Sequence, residues 1–320
     1  MGVEFFTALV SFVTTAVLGI LLIPILDKLK FGQTIRSDGP KRHLSKMGTP
    51  TMGGIIFIPA IALATLLISD INIDTIAVIF FMIGFGLIGF ADDFIKIIKR
   101  RSLGLRANQK LLFQLILSAC LVFYIFTNYT EPTVILVPFH SGRLDLGMIY
   151  IPFTIFIILG TVNSVNLTDG LDGLVSGIVA IIGFFYTVFL AKSNLNLALF
   201  SCAITGACLG FLLFNYHPAK VFMGDTGALG LGGALAAITV LSRSHLYLAV
   251  VGIMFILETL SVILQVLAFK FTGKRIFKMS PIHHHFELCG WSERKVVHVF
   301  WLITFFAGIL SSLMYKGVIM

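Results

Sequence analysis

Leu195-Asn-Leu-Ala-Leu-Phe-Ser-Cys-Ala-Ile-Thr-Gly-Ala-Cys-Leu-Gly-Phe-Leu-Leu-Phe214 contains no charged side chain. A helix rises about 1.5 Å per residue and a bilayer core is about 30 Å thick, so about 20 such residues read as a membrane-spanning helix. Working outward, comparable apolar runs occupy 5–26, 52–68, 76–90, 111–129, 149–165, 174–191, 228–241, 246–269 and 297–315, which makes ten runs in all. The third and eighth in chain order are short and need flanking residues to cross. The expected fold is all-α: one integral membrane domain over 1–320, with ten transmembrane helices and both termini outside. No repeat or soluble domain is evident. The first run lacks a charged n-region and a small-residue cleavage site, so it is expected to be a retained helix rather than a signal peptide.

Composition agrees. Of 320 residues, 58% are hydrophobic and 12% charged, and the mean hydropathy is +1.00; soluble domains carry about 25% charged residues. Fifteen carboxylates and 23 Lys/Arg cannot coat a surface of this size, which excludes a water-soluble fold. The four cysteines (Cys120, Cys202, Cys208 and Cys289) have no metal-ligand spacing and suggest neither a disulfide framework nor a zinc site.

Orientation follows from the basic residues, which are retained in cytoplasmic loops. The segments after runs one, three, seven and nine hold 19 of them, and the other side holds four: Arg143, Lys192, Arg243 and Lys316. The loops after odd-numbered helices are therefore expected to face the cytoplasm. The net charge of +8 is concentrated on that face, where it suits anionic headgroups or a phosphate-bearing substrate. No nucleic-acid partner is expected. One outer segment, 133–146, alternates loosely and is expected to form a small hairpin.

Five acids meet the basic face: Asp92 and Asp93 at the end of the third run, Asp169 and Asp172 in Asn166-Leu-Thr-Asp-Gly-Leu-Asp-Gly173, and Asp225 in Phe222-Met-Gly-Asp-Thr-Gly227. A helix cap accounts for any one of them. Three clusters on one face repel each other, and a hard cation such as Mg²⁺ together with substrate phosphates would relieve that repulsion. Phosphoryl chemistry on a membrane-borne substrate is the leading class.

Gly170, Gly173, Gly224 and Gly227 flank the acids in expected loops, where backbone can approach a phosphate. Gly84-Phe-Gly-Leu-Ile-Gly89 matches a dinucleotide fingerprint by letter but lies inside an apolar run, and is assigned to close helix packing. His283, His284 and His285 are adjacent, so their side chains diverge and do not gather on one ion; they suit a substrate phosphate or sugar better than zinc. Glu258 stands inside the ninth run, where an ionisable group points to function or helix pairing.

Together Lys46-Met-Gly-Thr-Pro-Thr-Met-Gly-Gly54, Ala91-Asp-Asp-Phe-Ile-Lys96, the segments around Asp169 and Asp225, and Pro281-Ile-His-His-His-Phe-Glu287 closely resemble the phospho-N-acetylmuramoyl-pentapeptide transferases. These are the bacterial lipid I synthases, within the polyprenyl-phosphate N-acetylhexosamine-1-phosphate transferase superfamily. The resemblance implies a homodimer in the bacterial cytoplasmic (inner) membrane with its site facing the cytoplasm. It further implies transfer of phospho-MurNAc-pentapeptide from UDP-MurNAc-pentapeptide to undecaprenyl phosphate, with Mg²⁺ required and UMP released.

By the same resemblance Asp225 is the principal metal ligand, and Asp92 and Asp93 form the acidic pair nearest the lipid phosphate. Asn166 and Asp169 belong to the nucleotide pocket, and Asn215 joins the substrate-binding set. Lys46, Thr51 and Lys110 line the polar cleft. Phe222 stacks on uracil with Gln265 near the base, and His283 and His284 contact the donor or its diphosphate. Ala228 stands where many members have Ser. Direct attack by the lipid phosphate and a two-step route through Asp93 both remain open. A sister enzyme using GlcNAc-1-phosphate shares the acidic motifs but usually differs in the histidine segment; a transporter would place its polar groups midway across the membrane.

The charge asymmetry has a direct check. In Ser141→Cys the thiol is expected to react with an impermeant reagent applied outside intact cells, whereas in Ser102→Cys it is not; the reverse pattern overturns the orientation.

Overall fold

The computed structural model describes residues 2–29, 46, 48–99, 101, 103–138 and 142–315. Ser102, Ser141 and most of the basic segment between Lys28 and Lys46 lie outside this set. Twelve helices follow in chain order: α1 (Gly2–Lys28), α2 (Gly54–Ile68), α3 (Ile73–Ile98), α4 (Ala107–Asn128), α5 (Tyr150–Thr168), α6 (Leu174–Leu190), α7 (Leu195–Asn215), α8 (Gly224–Leu241), α9 (His245–Val251), α10 (Ile253–Thr272), α11 (Ile282–Leu288) and α12 (Glu293–Met314). Between α4 and α5, β1 (Val134–Leu136) pairs antiparallel with β2 (Arg143–Asp145), Val134 opposite Asp145, which is the expected hairpin.

Among the described residues, eight helices are long and apolar enough to cross a membrane, and two shorter apolar helices, α2 and α6, correspond to the other two runs. The helices of the second and sixth runs, α2 and α6, have 15 and 17 residues. Before α2, Gly53 and Gly54 donate backbone hydrogen bonds to the Phe222 and Met223 carbonyls (2.9 and 3.1 Å), and Phe222 donates to Pro50 (2.8 Å). Before α6, Gly173 turns the chain with φ +77°, a left-handed conformation that glycine adopts without a Cβ penalty. The ninth run is broken at Gly252 into α9 and α10, consistent with the low helix propensity of glycine.

Two sequence expectations are corrected. Asp92 and Asp93 do not end α3, which runs on to Ile98, because Lys96 lies one turn beyond Asp92 and neutralises the pair. Asp225 and Gly227 lie in the first turn of α8 rather than in a loop, and a carboxylate is favourable beside the positive end of a helix.

Helix α8 is the centre of the bundle, and every residue from Thr226 to Leu241 is buried. Its small side chains admit neighbouring backbones: a Cβ on Gly232 would lie 2.7 Å from Val162 Cα in α5, and one on Gly230 2.6 Å from Ile58 in α2. On α3, a Cβ at Gly89 would overlap the Asp225 carbonyl. The glycines of the 84–89 segment thus serve helix packing. Around this centre, α1 lies against α7, with Ser11 donating to the Ala203 carbonyl at 2.7 Å. Helix α12 lies against α6, where Gly177 faces Trp301.

The loops gather at two ends. At one end Arg143 and Arg243 both pair with Glu131 (2.8 and 3.3 Å), and Leu136 of β1 donates to the Arg243 carbonyl. At the other end lie the acids.

The crossing of α3 and α8 predicts a steep cost for one methyl group. Gly89→Ala must displace backbone and is expected to destabilise the fold by about 1–3 kcal/mol, seen as a lower unfolding temperature in detergent. Gly160→Ala on α5, where nothing lies within 4 Å, should not lower that temperature.

Candidate active site

Three carboxylates from two helices converge. Asp92 and Asp93 come from α3 and Asp225 from the first turn of α8, and each offers an oxygen within 4.8 Å of the others. Two ammonium groups hold them together. Lys96 Nζ lies 2.6 Å from Asp92, 3.6 Å from Asp93 and 3.1 Å from Asp225. Lys110, from the first turn of α4, pairs with Asp225 at 2.8 Å and donates to Asn166 Oδ1 at 3.1 Å. Asn166 of α5 in turn donates to the other Asp225 oxygen at 2.9 Å. One turn deeper, Gln114 and Asn163 exchange amide hydrogen bonds and fix α4 to α5.

The two acids of α3 differ. Asp93 is buried, and its carboxylate accepts from the Asp225 and Thr226 backbone N–H groups (3.2 and 2.9 Å) and from Thr226 Oγ1 (2.7 Å), so it caps the start of α8. Asp92 accepts from the Leu105 backbone at 2.8 Å, a contact made possible because Gly104 has no side chain to strike the carboxylate. Gly224, with φ +70°, lies where a Cβ would be 2.6 Å from Asp93 and 2.8 Å from Thr51 Oγ1; this places buried Thr51 on the wall of the same cleft. Asp169 caps α5. Burial, and then the negative charges of Asp225 and Asp93, push its carboxyl up to about 8.

A second polar group adjoins the first through the segment between α5 and α6. Asp172 pairs with Lys46 (2.7 Å) and His217 (3.0 Å), and Glu293 at the start of α12 meets the same two side chains at 2.6 and 3.2 Å. This knot joins four separate segments of the chain.

Residues 75–243, from α3 to just past α8, match the family model described as glycosyl transferase family 4. The chain is 53% identical to a phospho-N-acetylmuramoyl-pentapeptide-transferase of Caldanaerobacter subterraneus, with 96% of each chain covered. The protein of that name from Clostridioides difficile is 50% identical over 93% of this chain and 94% of its own. The one from Desulfitobacterium hafniense is 48% identical over 98% of both. This chain belongs to the phospho-N-acetylmuramoyl-pentapeptide-transferase family. The span matched by the broader glycosyl transferase model holds the acids and lysines of the first cluster, while Lys46 and the run His283 to His285 lie outside it.

For a member of the transferase family, the remaining residues singled out from sequence fall into two groups. Phe222 is half-buried on the strap between α7 and α8, beside the first cluster. His283, His284 and His285 diverge as the geometry of adjacent residues requires: they meet Glu258, Glu287 and the Lys278 backbone respectively. Gln265 and Asn215 are held by the protein itself. Gln265 accepts from the Ile276 and Phe277 N–H groups and donates to the Phe277 carbonyl, which clips the segment after α10. Asn215 is buried; it accepts from Gly173 N and Ser176 Oγ and donates to the Val221 carbonyl.

Sequence reasoning did not single out Lys96, Glu293 or His217 and gave Glu258 no partner. The i, i+4 spacing of Asp92 and Lys96 was a usable signal for the first. The others meet partners far away in the chain.

Asn215→Ala would leave the Gly173 N–H, the Ser176 hydroxyl and the Val221 carbonyl without their partner. It is expected to cost on the order of 3 kcal/mol of stability by thermal unfolding, together with lost activity. Normal stability with a raised substrate KM would instead mark Asn215 as a direct substrate contact.

Proposed function

We propose that this chain transfers phospho-MurNAc-pentapeptide from UDP-MurNAc-pentapeptide to undecaprenyl phosphate, making lipid I for peptidoglycan synthesis and releasing UMP. The observation that carries this reading is identity near one half, over nearly full length, to relatives bearing the transferase name. The acidic end then faces the cytoplasm of a bacterial cell membrane, supported by the 19-to-4 division of basic residues. The working unit is a homodimer, as the family resemblance implies.

The donor set fits Mg²⁺, a hard cation that takes oxygen ligands from one or two carboxylates plus substrate phosphates. Three carboxylates against two ammonium groups leave one formal negative charge for it to meet. Asp225 is the principal ligand, with the Asp92/Asp93 pair beside it. When bound, Mg²⁺ supplies neutralisation of the diphosphate oxygens.

The chain's own residues supply position and charge. A phosphate oxygen of the lipid attacks the phosphorus on the sugar side, forming the new P–O bond as the bond to UMP breaks in line. Lys96 and Lys110 offset the negative charge gathered there. A phosphate monoester has its second pKa near 6, so little base is needed, and Asp92 takes any residual proton. Direct attack is favoured over an aspartyl-phosphate on Asp93, because a nucleophilic role would forfeit the hydrogen bonds by which Asp93 holds α8.

The purified chain should release UMP only when both substrates and Mg²⁺ are present, and UDP-GlcNAc should not replace the muramoyl donor. Turnover with UDP-GlcNAc instead would move the chain to the sister activity. Asp225→Asn is expected to lower kcat by roughly 100-fold or more and to shift the Mg²⁺ dependence to higher concentration. Normal Mg²⁺-dependent turnover in that variant would overturn the metal assignment.

A further inference from the structure

Glu258 of α10 and His283 of α11 form a buried pair that the scheme above does not use. Both residues are fully enclosed, with 0% exposure. An ionisable side chain in an apolar helix is costly and is kept for pairing or function. His283 Nδ1 lies 3.0 Å from Glu258 Oε1. This contact occupies Nδ1 and leaves Nε2 as the ring atom free to meet something else.

Among the described residues His283 Nε2 is a buried polar atom without a hydrogen-bond partner. It is not aimed at random. Nε2 abuts Gly170, where a Cβ would overlap it, so glycine there is what lets the ring reach the turn that follows α5. That turn carries Asp169 and follows Asn166, the residue that bonds Asp225. Next to Glu258 in the chain, Thr259 donates to Ser164 of α5 at 2.7 Å. The Thr259–Ser164 bond ties α10 to α5, and the Glu258 carboxylate on α10 meets the ring.

We infer that Glu258 is a positioning residue. Its carboxylate sets the tautomer and direction of His283, so that Nε2 is presented at the Asp169-Gly170 turn as a hydrogen-bond partner for the sugar-nucleotide donor and not for the lipid. This rests on the proposed reaction. The side chain of Glu258 itself touches no substrate. In Glu258→Gln the amide can donate as well as accept, so the ring is free to take the other tautomer while the packing is kept.

The test measures UMP release by the purified full-length chain as each substrate is varied separately. Glu258→Gln should lower kcat/KM for UDP-MurNAc-pentapeptide by at least about tenfold and leave the undecaprenyl phosphate KM within about twofold. Because Glu258 acts through His283, the double variant with His283→Gln should be no worse than His283→Gln alone. Additive losses, equal effects on both substrates, or unchanged donor kinetics would overturn the inference.

Should Glu258→Gln fail to fold, Gly170→Ala tests the same contact from the other side with the carboxylate intact. It should give a donor-selective loss that is not additive with His283→Gln, and unaltered donor kinetics would count against the proposal. Wild-type protein that releases no UMP overturns the reaction and this inference together. Wild-type turnover alongside unaffected variants overturns the inference alone.

Discussion

The polar end of the molecule depends on one close crossing, that of α3 over the start of α8. Gly89 has no side chain, so α3 can lie directly against the Asp225 carbonyl. Asp93, one turn along, then reaches the first amides of α8. The same contact brings Asp92, Asp93 and Asp225 within reach of a single cation. A carboxylate pair in the middle of a helix would ordinarily be a liability in an apolar bundle, because burying charge without a partner is expensive. Here the cost is offset locally, by a lysine one turn away on the same helix and by the amide dipoles of a helix start.

Around that crossing, the cleft is built from segments that are distant in the chain but braced by short-range backbone and amide contacts. The strap of Pro50 to Gly54 against Phe222 and Met223 is a backbone ladder, and Asn215 and Gln265 each use a whole side-chain amide to hold a loop. Residues that the family resemblance places against substrate thus also carry the architecture. Loss of function at such a position has two physical causes, and stability measured beside kinetics separates them.

Much of this was readable in the chain because a bilayer imposes length and polarity on every span. Nine of the ten apolar runs correspond to one helix each, and the 133–146 segment does form a hairpin. The acids, too, lie at one end, as their placement after odd-numbered runs implied. What hydropathy could not convey was how far a helix continues past its apolar part. Asp92, Asp93 and Lys96 lowered the local hydropathy, yet their mutual neutralisation keeps α3 helical to Ile98. Nor does periodicity say which helices become neighbours. Glu258 with His283, and Asp172 with His217 and Glu293, are tertiary pairs whose partners share no local spacing.

Helix α8 is the least apolar of the eight long spans among the described residues and the most completely buried. Glycine and alanine give it little greasy surface to offer to acyl chains. Such a segment gains only weakly from partitioning into lipid by itself, and its place in the bilayer is stabilised by contact with α2, α3 and α5. Insertion and assembly are therefore linked for this helix: the span that carries Asp225 is secure in the membrane only when the bundle has closed around it.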